Sequence, residues 1–351
     1  MPYRIFVALL TGLLVGGIPL SNGTSSHAAD KKSESKKSDS GQSDSGQSSK
    51  KGQNGRKDAA DDSALDPPRD LTAEELLAKY RKSKNFRNGD QIARIESDAI
   101  VESSGLAVSR HSDDVLWTHN DSGDKPRLFA FDRAGRHLGE LNVNGVRRAI
   151  DWEDIAAFEL DDKPWLLIAD VGDNSSSREY SLLYLCVEPK EANGSVDVDQ
   201  TVRFAYDNGP HDCEAVAFDT TSRSIMFISK SWQPWCEVYV LPLPDKSEEG
   251  IVTARQIARL PIPGVTAGDI SPDGQRLILL SYGKGYEFVR EKDENWAETL
   301  SRPGTIVELP VRKQGEAICY DRQGKSLYLT SERRPSPLFF IPGIDSETNK
   351  H

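Results

Sequence analysis

Glu214-Ala215-Val216-Ala217-Phe218 and Glu153-Asp154-Ile155-Ala156-Ala157 are two copies of one pattern, a polar residue leading straight into a short apolar run. Three further stretches follow it: Ser104-Gly105-Leu106-Ala107-Val108, Gly268-Asp269-Ile270-Ser271-Pro272 and Glu316-Ala317-Ile318-Cys319-Tyr320. Two residues after the leading position stands an aliphatic side chain (Leu106, Ile155, Val216, Ile270, Ile318). One further on stands a small one (Ala107, Ala156, Ala217, Ser271, Cys319). The copies begin 49, 61, 54 and 48 residues apart, which is long for a solenoid turn and enough for one four-stranded propeller blade.

Working outward from each copy, short strand-like runs alternate with turn signals such as Asp132-Arg133-Ala134-Gly135 and Ser271-Pro272-Asp273-Gly274, giving about four strands per blade. The last blade, opening at Ala317, has only three. The segment 91–96, with Ile92, Ala93 and Ile95 ahead of blade one, can supply the missing outer strand, close the ring and remove an exposed edge. The expectation is an all-β fold, a five-bladed β-propeller over 90–345 closed by an N-terminal strand.

The flanks read differently. Met1 to Ala29 carries Arg4, an apolar run to Leu20 and the small residues Ser26-His27-Ala28-Ala29, the make-up of a signal peptide; an uncleaved anchor is the alternative reading. Residues 30–70 are Ser, Lys, Gln, Gly and Asp with almost no apolar side chains, so they bury too little to offset ordering and are expected to be a disordered linker. Thr72-Ala73-Glu74-Glu75 has capping-box spacing and predicts a short helix within 71–86. Residues 346–351 are a tail. The chain is expected to be exported and monomeric, with no integral membrane domain.

A net charge of −11 and a pI near 5.2 exclude a nucleic-acid polymer as the natural partner, since phosphate neutralisation needs a basic surface. Cys186, Cys213, Cys236 and Cys319 fit no zinc spacing. They allow three disulfide pairings, which an oxidising compartment permits without requiring.

In a propeller the inner strands begin together around one axis, on the face that also carries the loops between second and third strands. Those loops are 120–124, 170–174, 230–232, 282–286 and 332–334. Glutamates converging there repel one another at low dielectric unless a cation sits between them. Oxygen donors without His or Cys select a hard ion, and a wide flexible ring suits Ca2+ better than Mg2+. A second polar layer lies two residues earlier: Glu102, Asp151, Asp212, Thr266 and Gln314.

Five blades closed by an N-terminal strand, with a leading Ser followed by Glu residues around the tunnel, resemble the secreted calcium-activated apyrases. Stretches such as Glu102-Ser103-Ser104-Gly105-Leu106 and Gly315-Glu316-Ala317-Ile318 are also similar to bacterial phytase-like and esterase-like propellers. The apyrase resemblance implies Ca2+ ligands at Ser104, Glu153, Glu214 and Glu316, with Asp269 taking the blade-four place although it stands one residue late. The expected activity is a metal-dependent hydrolase acting on a small anionic phosphate ester or anhydride. Candidate bases are Glu102, Asp151 and Asp212, and the rim cations Lys230, Lys284, Arg333 and Arg334 would bind substrate. The rival expectation is a Ca2+-stabilised propeller that holds a protein or glycan ligand. Trp232, Trp235, Tyr282 and Tyr286 are candidates for ring stacking or for blade packing, and His119 and His211 for strand-end hydrogen bonding or proton transfer.

Overall fold

The chain's computed structural model describes residues 71–331 and 334–344. The expected signal segment 1–29, the expected linker 30–70, Arg333 and the expected tail 346–351 lie outside the described residues. Among those described, no helix is long and apolar enough to cross a membrane.

Five antiparallel four-stranded units follow one another along the chain. Blade one comprises Ser103–Val108, Val115–Asn120, Arg127–Asp132 and His137–Asn144. Blade two comprises Trp152–Leu160, Lys163–Asp170, Ser181–Val187 and Gln200–Tyr206, and blade three Cys213–Asp219, Ser224–Ser229, Cys236–Pro242 and Ile251–Leu260. Blade four has Val265–Ile270, Arg276–Ser281, Gly285–Val289 and Thr305–Val307. Blade five has Gly315–Tyr320, Leu327–Ser331 and Pro337–Ile341, and its outer strand is the N-terminal Asp90–Arg94, antiparallel to Pro337–Ile341. The five inner strands pack side by side in a closed ring, the first against the second and the last against the first. This is the five-bladed propeller with N-terminal closure that the repeats predict.

Each blade is covered on both faces by its neighbours, so its middle strands are apolar throughout rather than alternating. Ile225-Met226-Phe227-Ile228 and Leu277-Ile278-Leu279-Leu280 are buried on both sides. Five apolar clusters fill the five gaps between blades. All four cysteines are buried within these sheets as free thiols, with no disulfide between them.

The outer edges are paired in ways the sequence pattern does not announce. The outer strands of blades two and three run parallel and share a ladder, Arg203 opposite Ile251 through Tyr206 opposite Ala254, joining the two blades into one eight-stranded sheet. Gly194–Asp197 adds in parallel to blade one, and Arg81–Lys82 to blade four. The capping box forms: Thr72 accepts from Glu75 N–H at 3.2 Å, and Glu75 accepts from Thr72 N–H at 2.8 Å. The helix, however, is only Ala73–Leu77. Beyond it Tyr80 is buried edge-on to Tyr286 and Phe288, and Ser83 and Asn85 donate to the buried Glu287 carboxylate at 3.2 and 2.7 Å. The remainder of 71–86 is thus a strap clamped to blade four.

Every inner strand carries a bulge near its start. In blades two, three and five the extra residue is Glu153, Glu214 and Glu316 respectively. A bulge re-aims a side chain, and here it does so at the channel mouth. In blade four the bulged residue is Thr266, between Val265 and Ala267. This corrects the register of the fourth repeat. Asp269, opposite Ile278, aligns with Ala156, Ala217 and Cys319, not with the glutamates. The misalignment arises because Ile270-Ser271 mimics the aliphatic-small pair two residues late. A two-residue shift preserves the facing but moves the side chain ~7 Å along the strand.

Candidate functional site: an acidic mouth of the axial channel

Inner strands of neighbouring blades do not share a hydrogen-bonded ladder, so side chains link them instead. Ser104 Oγ donates to the Glu153 carbonyl at 2.9 Å, joining blades one and two, and Thr266 Oγ1 donates to the Gly315 carbonyl at 2.9 Å, joining blades four and five. Asp154, fully buried, accepts from its own neighbour Ile155 N–H at 2.9 Å, from Val216 N–H of blade three at 2.9 Å and from Gly268 N–H of blade four at 3.4 Å. Asp269 accepts from Tyr320 N–H of blade five at 2.8 Å. These contacts cross-link the middle of the channel. Asp269 also lines a cavity of about 160 Å³ at the far end, which all five blades wall and which Arg110 and Arg322 share. Asp269 is therefore remote in register from the carboxylates it was expected to join.

At the other end, Asp121, Asp151 and Glu153 come together, their ligand atoms all within 4.8 Å of one another. Glu153 is buried and the two aspartates are half-buried. Two loops hold them. Asn120 fixes the first by accepting from Val101 N–H at 2.8 Å and donating to Asp124 at 2.6 Å, while Asp121 N–H rests on the Glu102 carbonyl at 3.2 Å. Asp170, fully buried, fixes the second by accepting from Ile150 and Asp151 N–H, both at 3.2 Å, and from Arg178 at 2.9 Å. Asp212 joins from blade three, accepting from Asp173 N–H at 2.9 Å.

The electrostatics follow from this crowding. Burial, then the charges of Asp121 and Asp212, pushes the Asp151 carboxyl up to about 6. Burial, then Glu214, Asp121 and Asp151, raises Glu153 well above the usual carboxylate range. Glu214 is paired with Lys230. Burial works to discharge that ammonium, but Glu214 and Tyr282 outweigh it and keep Lys230 charged.

The other expected site residues are dispersed. Ser104 spends its hydroxyl proton on the blade-two backbone. Glu316 is half-buried near Glu214, Tyr282 and Arg312. Glu102 and Lys284 are exposed. Arg334 is exposed and its guanidinium donates to the Asp98 carbonyl. His119 is fully buried, with Nδ1 at 3.0 Å from the Asn120 carbonyl and its ring edge-on to Trp152. Burial lowers its proton affinity, the profile of a packing residue.

Sequence reasoning missed Asp121, which stands there only within the loop 120–124, and Arg312, whose half-buried guanidinium bonds the Pro310 and Ser281 carbonyls at 3.3 and 3.2 Å. It also missed Gly172. A Cβ there would run into the Glu153 and Asp151 carboxylates, so any side chain at this position would push both from their places in the cluster. Gly172→Ala is expected to weaken divalent-ion binding roughly tenfold or more, the scale for disturbing a ligand's support, while leaving the melting temperature in chelator unchanged. Calorimetry with Ca2+ and thermal melts of both proteins check this.

Asp269 gives the fold a pH signature. Burial raises its carboxyl to about 7, against a pull downward from Tyr320 N–H and Arg110. A folded carboxyl with raised proton affinity contributes stability that is complete below the unfolded value near 4 and is lost as pH rises through about 7. The difference in melting temperature between Asp269→Asn and the parent, measured in chelator, should therefore shift in the variant's favour from pH ~4 to ~7. A flat difference would contradict it.

No protein-family model matches the chain, and no curated protein matches it. Among solved structures, a gluconolactonase from Xanthomonas campestris is similar with a TM-score of 0.43 and 12% identity, over 76% of this chain and 97% of that one. A putative 6-phosphogluconolactonase from Bacteroides uniformis is similar with a TM-score of 0.37 and 15% identity, over 72% and 71% of the two chains. Likenesses of this size do not assign chemistry.

Proposed function

We propose that the chain is an exported propeller hydrolase that holds Ca2+ at the acidic channel mouth and acts on a small anionic substrate, a phosphate ester or anhydride. The observation that carries this reading is the convergence of Asp121, Asp151 and Glu153 on one point, where burial and mutual repulsion outweigh the nearby charges of Arg178 and Lys230. The donor set fits the ion: oxygen ligands alone, negatively charged, partly buried and drawn from two loops and a bulged strand. Asp121, Asp151 and Glu153 would hold it, with Glu214 and Glu316 around the same mouth; Asp269 is not among them.

When bound, the cation would polarise a substrate oxygen and offset developing negative charge. The chain's own residues would do the rest. Asp212, fixed by Asp173 N–H, would take a proton from water. Lys230, anchored on Glu214, would attract and orient the anion, and Arg312 adds a second positive charge near Glu316. Nucleotides, phytate and simple phosphoesters incubated with the purified protein should release phosphate in Ca2+ and not in chelator. Chelation that lowers thermal stability with no turnover across the panel would transfer the site to the ligand-holding reading.

A further inference from the structure

Trp232 is 80% exposed, the most exposed of the aromatic side chains among the described residues. It is not loose. Its ring lies on Tyr282, with centroids 5.6 Å apart and planes 18° from parallel. Tyr282 in turn has the Lys230 ammonium 5.7 Å from its ring centroid, and Lys230 ends on Glu214 at the channel mouth. Trp232 comes from the loop after the second strand of blade three and Tyr282 from the matching loop of blade four. A continuous series of contacts thus leads from the carboxylates through Lys230 to a flat aromatic surface on the rim.

The other aromatic residues singled out in the sequence have different roles. Tyr286 is buried between blades three and four, and Trp235 lies against Arg259 with the guanidinium carbon 5.2 Å from its ring. Packing explains those two and does not explain Trp232, whose surface is mostly in water. Leaving so much indole exposed forgoes burial, while stacking on Tyr282 fixes its orientation in advance, which lowers the ordering cost of binding.

From this geometry we infer that Trp232 and Tyr282 form a stacking platform for a flat ring, a nucleobase or the apolar face of a pyranose, carried by the substrate whose anionic group sits at Lys230. The inference rests on the proposed substrate site for its position, but ring binding is measured without turnover. The rings of Trp and Tyr accept either class of ring by the same face-to-face contact, so the chemistry shared is the ring attached to a phosphate.

The test is fluorescence and calorimetric titration of the full chain, in Ca2+ and separately in chelator, with a nucleoside monophosphate, glucose 1-phosphate and the ring-free glycerol phosphate. At least one ring-bearing phosphate should bind more tightly than glycerol phosphate, and which one does so identifies the ring. Trp232→Ala should weaken that binding about tenfold or more, the scale of one stacking contact. It should leave glycerol phosphate unchanged, while Trp232→Phe retains most of the preference. Equal affinity for ring-bearing and ring-free ligands, an unaffected Trp232→Ala, equal losses for both classes, or no binding of either ring would overturn the platform. Ring binding that depends on Trp232 but brings no phosphate release would sink the hydrolase and keep the platform. Turnover of glycerol phosphate, identical in wild type and Trp232→Ala with no gain from a ring, would do the reverse.

Discussion

Asp154→Ala should be the most damaging single substitution in the channel, lowering the melting temperature by about 10–20 °C if the chain folds at all. Its carboxylate is fully buried and receives N–H groups from Ile155, Val216 and Gly268, two of them belonging to other blades. Alanine leaves those donors facing a cavity, and each buried unsatisfied donor costs about 1–3 kcal/mol. For the three donors together that is roughly 3–9 kcal/mol against a typical total of 5–15. Asp154→Asn provides the control. The amide oxygen can still accept from Val216 and Gly268, whereas its NH2 opposes Ile155 N–H, so the loss should be about half as large. Urea unfolding of the three proteins measures this, and an alanine variant as stable as the parent would show that the channel does not depend on this cross-link.

Glu153→Gln should separate function from stability. Removing one negative ligand from the cluster should weaken Ca2+ binding by roughly a hundredfold or more, beyond the 10–100-fold scale for losing a supporting partner, and reduce phosphate release in step. In chelator at neutral pH the same variant should melt at a higher temperature than the parent. Burial and the charges of Glu214, Asp121 and Asp151 all disfavour the ionised Glu153, and an amide of the same shape escapes that repulsion. Such a trade, binding lost and fold strengthened, is the mark of a site whose strain serves a ligand. A variant with unchanged Ca2+ affinity and a lower melting temperature would make Glu153 an ordinary structural residue.

The propeller was legible because a polar, an aliphatic and a small residue recur in the same order in blades one, two, three and five, the aliphatic side chain turned to one inter-blade interface and the small one to the next. Closure by Asp90–Arg94 was legible because blade five lacks a strand. Blade four shows where such reading fails. Ile270-Ser271 satisfies the aliphatic-small rule, while the bulge at Thr266 sets the actual register, and no composition rule separates two alignments that keep the same facing.

The acid cluster was half legible. Glu153 and Asp151 carry the repeat signal, but Asp121 comes from a loop of blade one whose Asp-Ser-Gly content is equally that of a turn. Its role appears only when blades one and two are set side by side. Asp154 was hidden for a related reason. A carboxylate inside an apolar run reads as solvent-facing, and the three N–H groups that make its burial tolerable lie as far as 114 residues away. The parallel pairing of the outer strands of blades two and three leaves no local trace either, since it depends on the angle between blades.

The central claim, that the channel mouth holds a divalent cation, is tested most directly by calorimetric titration of the chelator-stripped full chain with Ca2+ at neutral pH, alongside the Asp151→Asn, Glu153→Gln double variant. One Ca2+ per chain and a rise in melting temperature on saturation are expected, with both lost in the variant. No heat and no stabilisation at millimolar Ca2+, or identical binding by the two proteins, would contradict it.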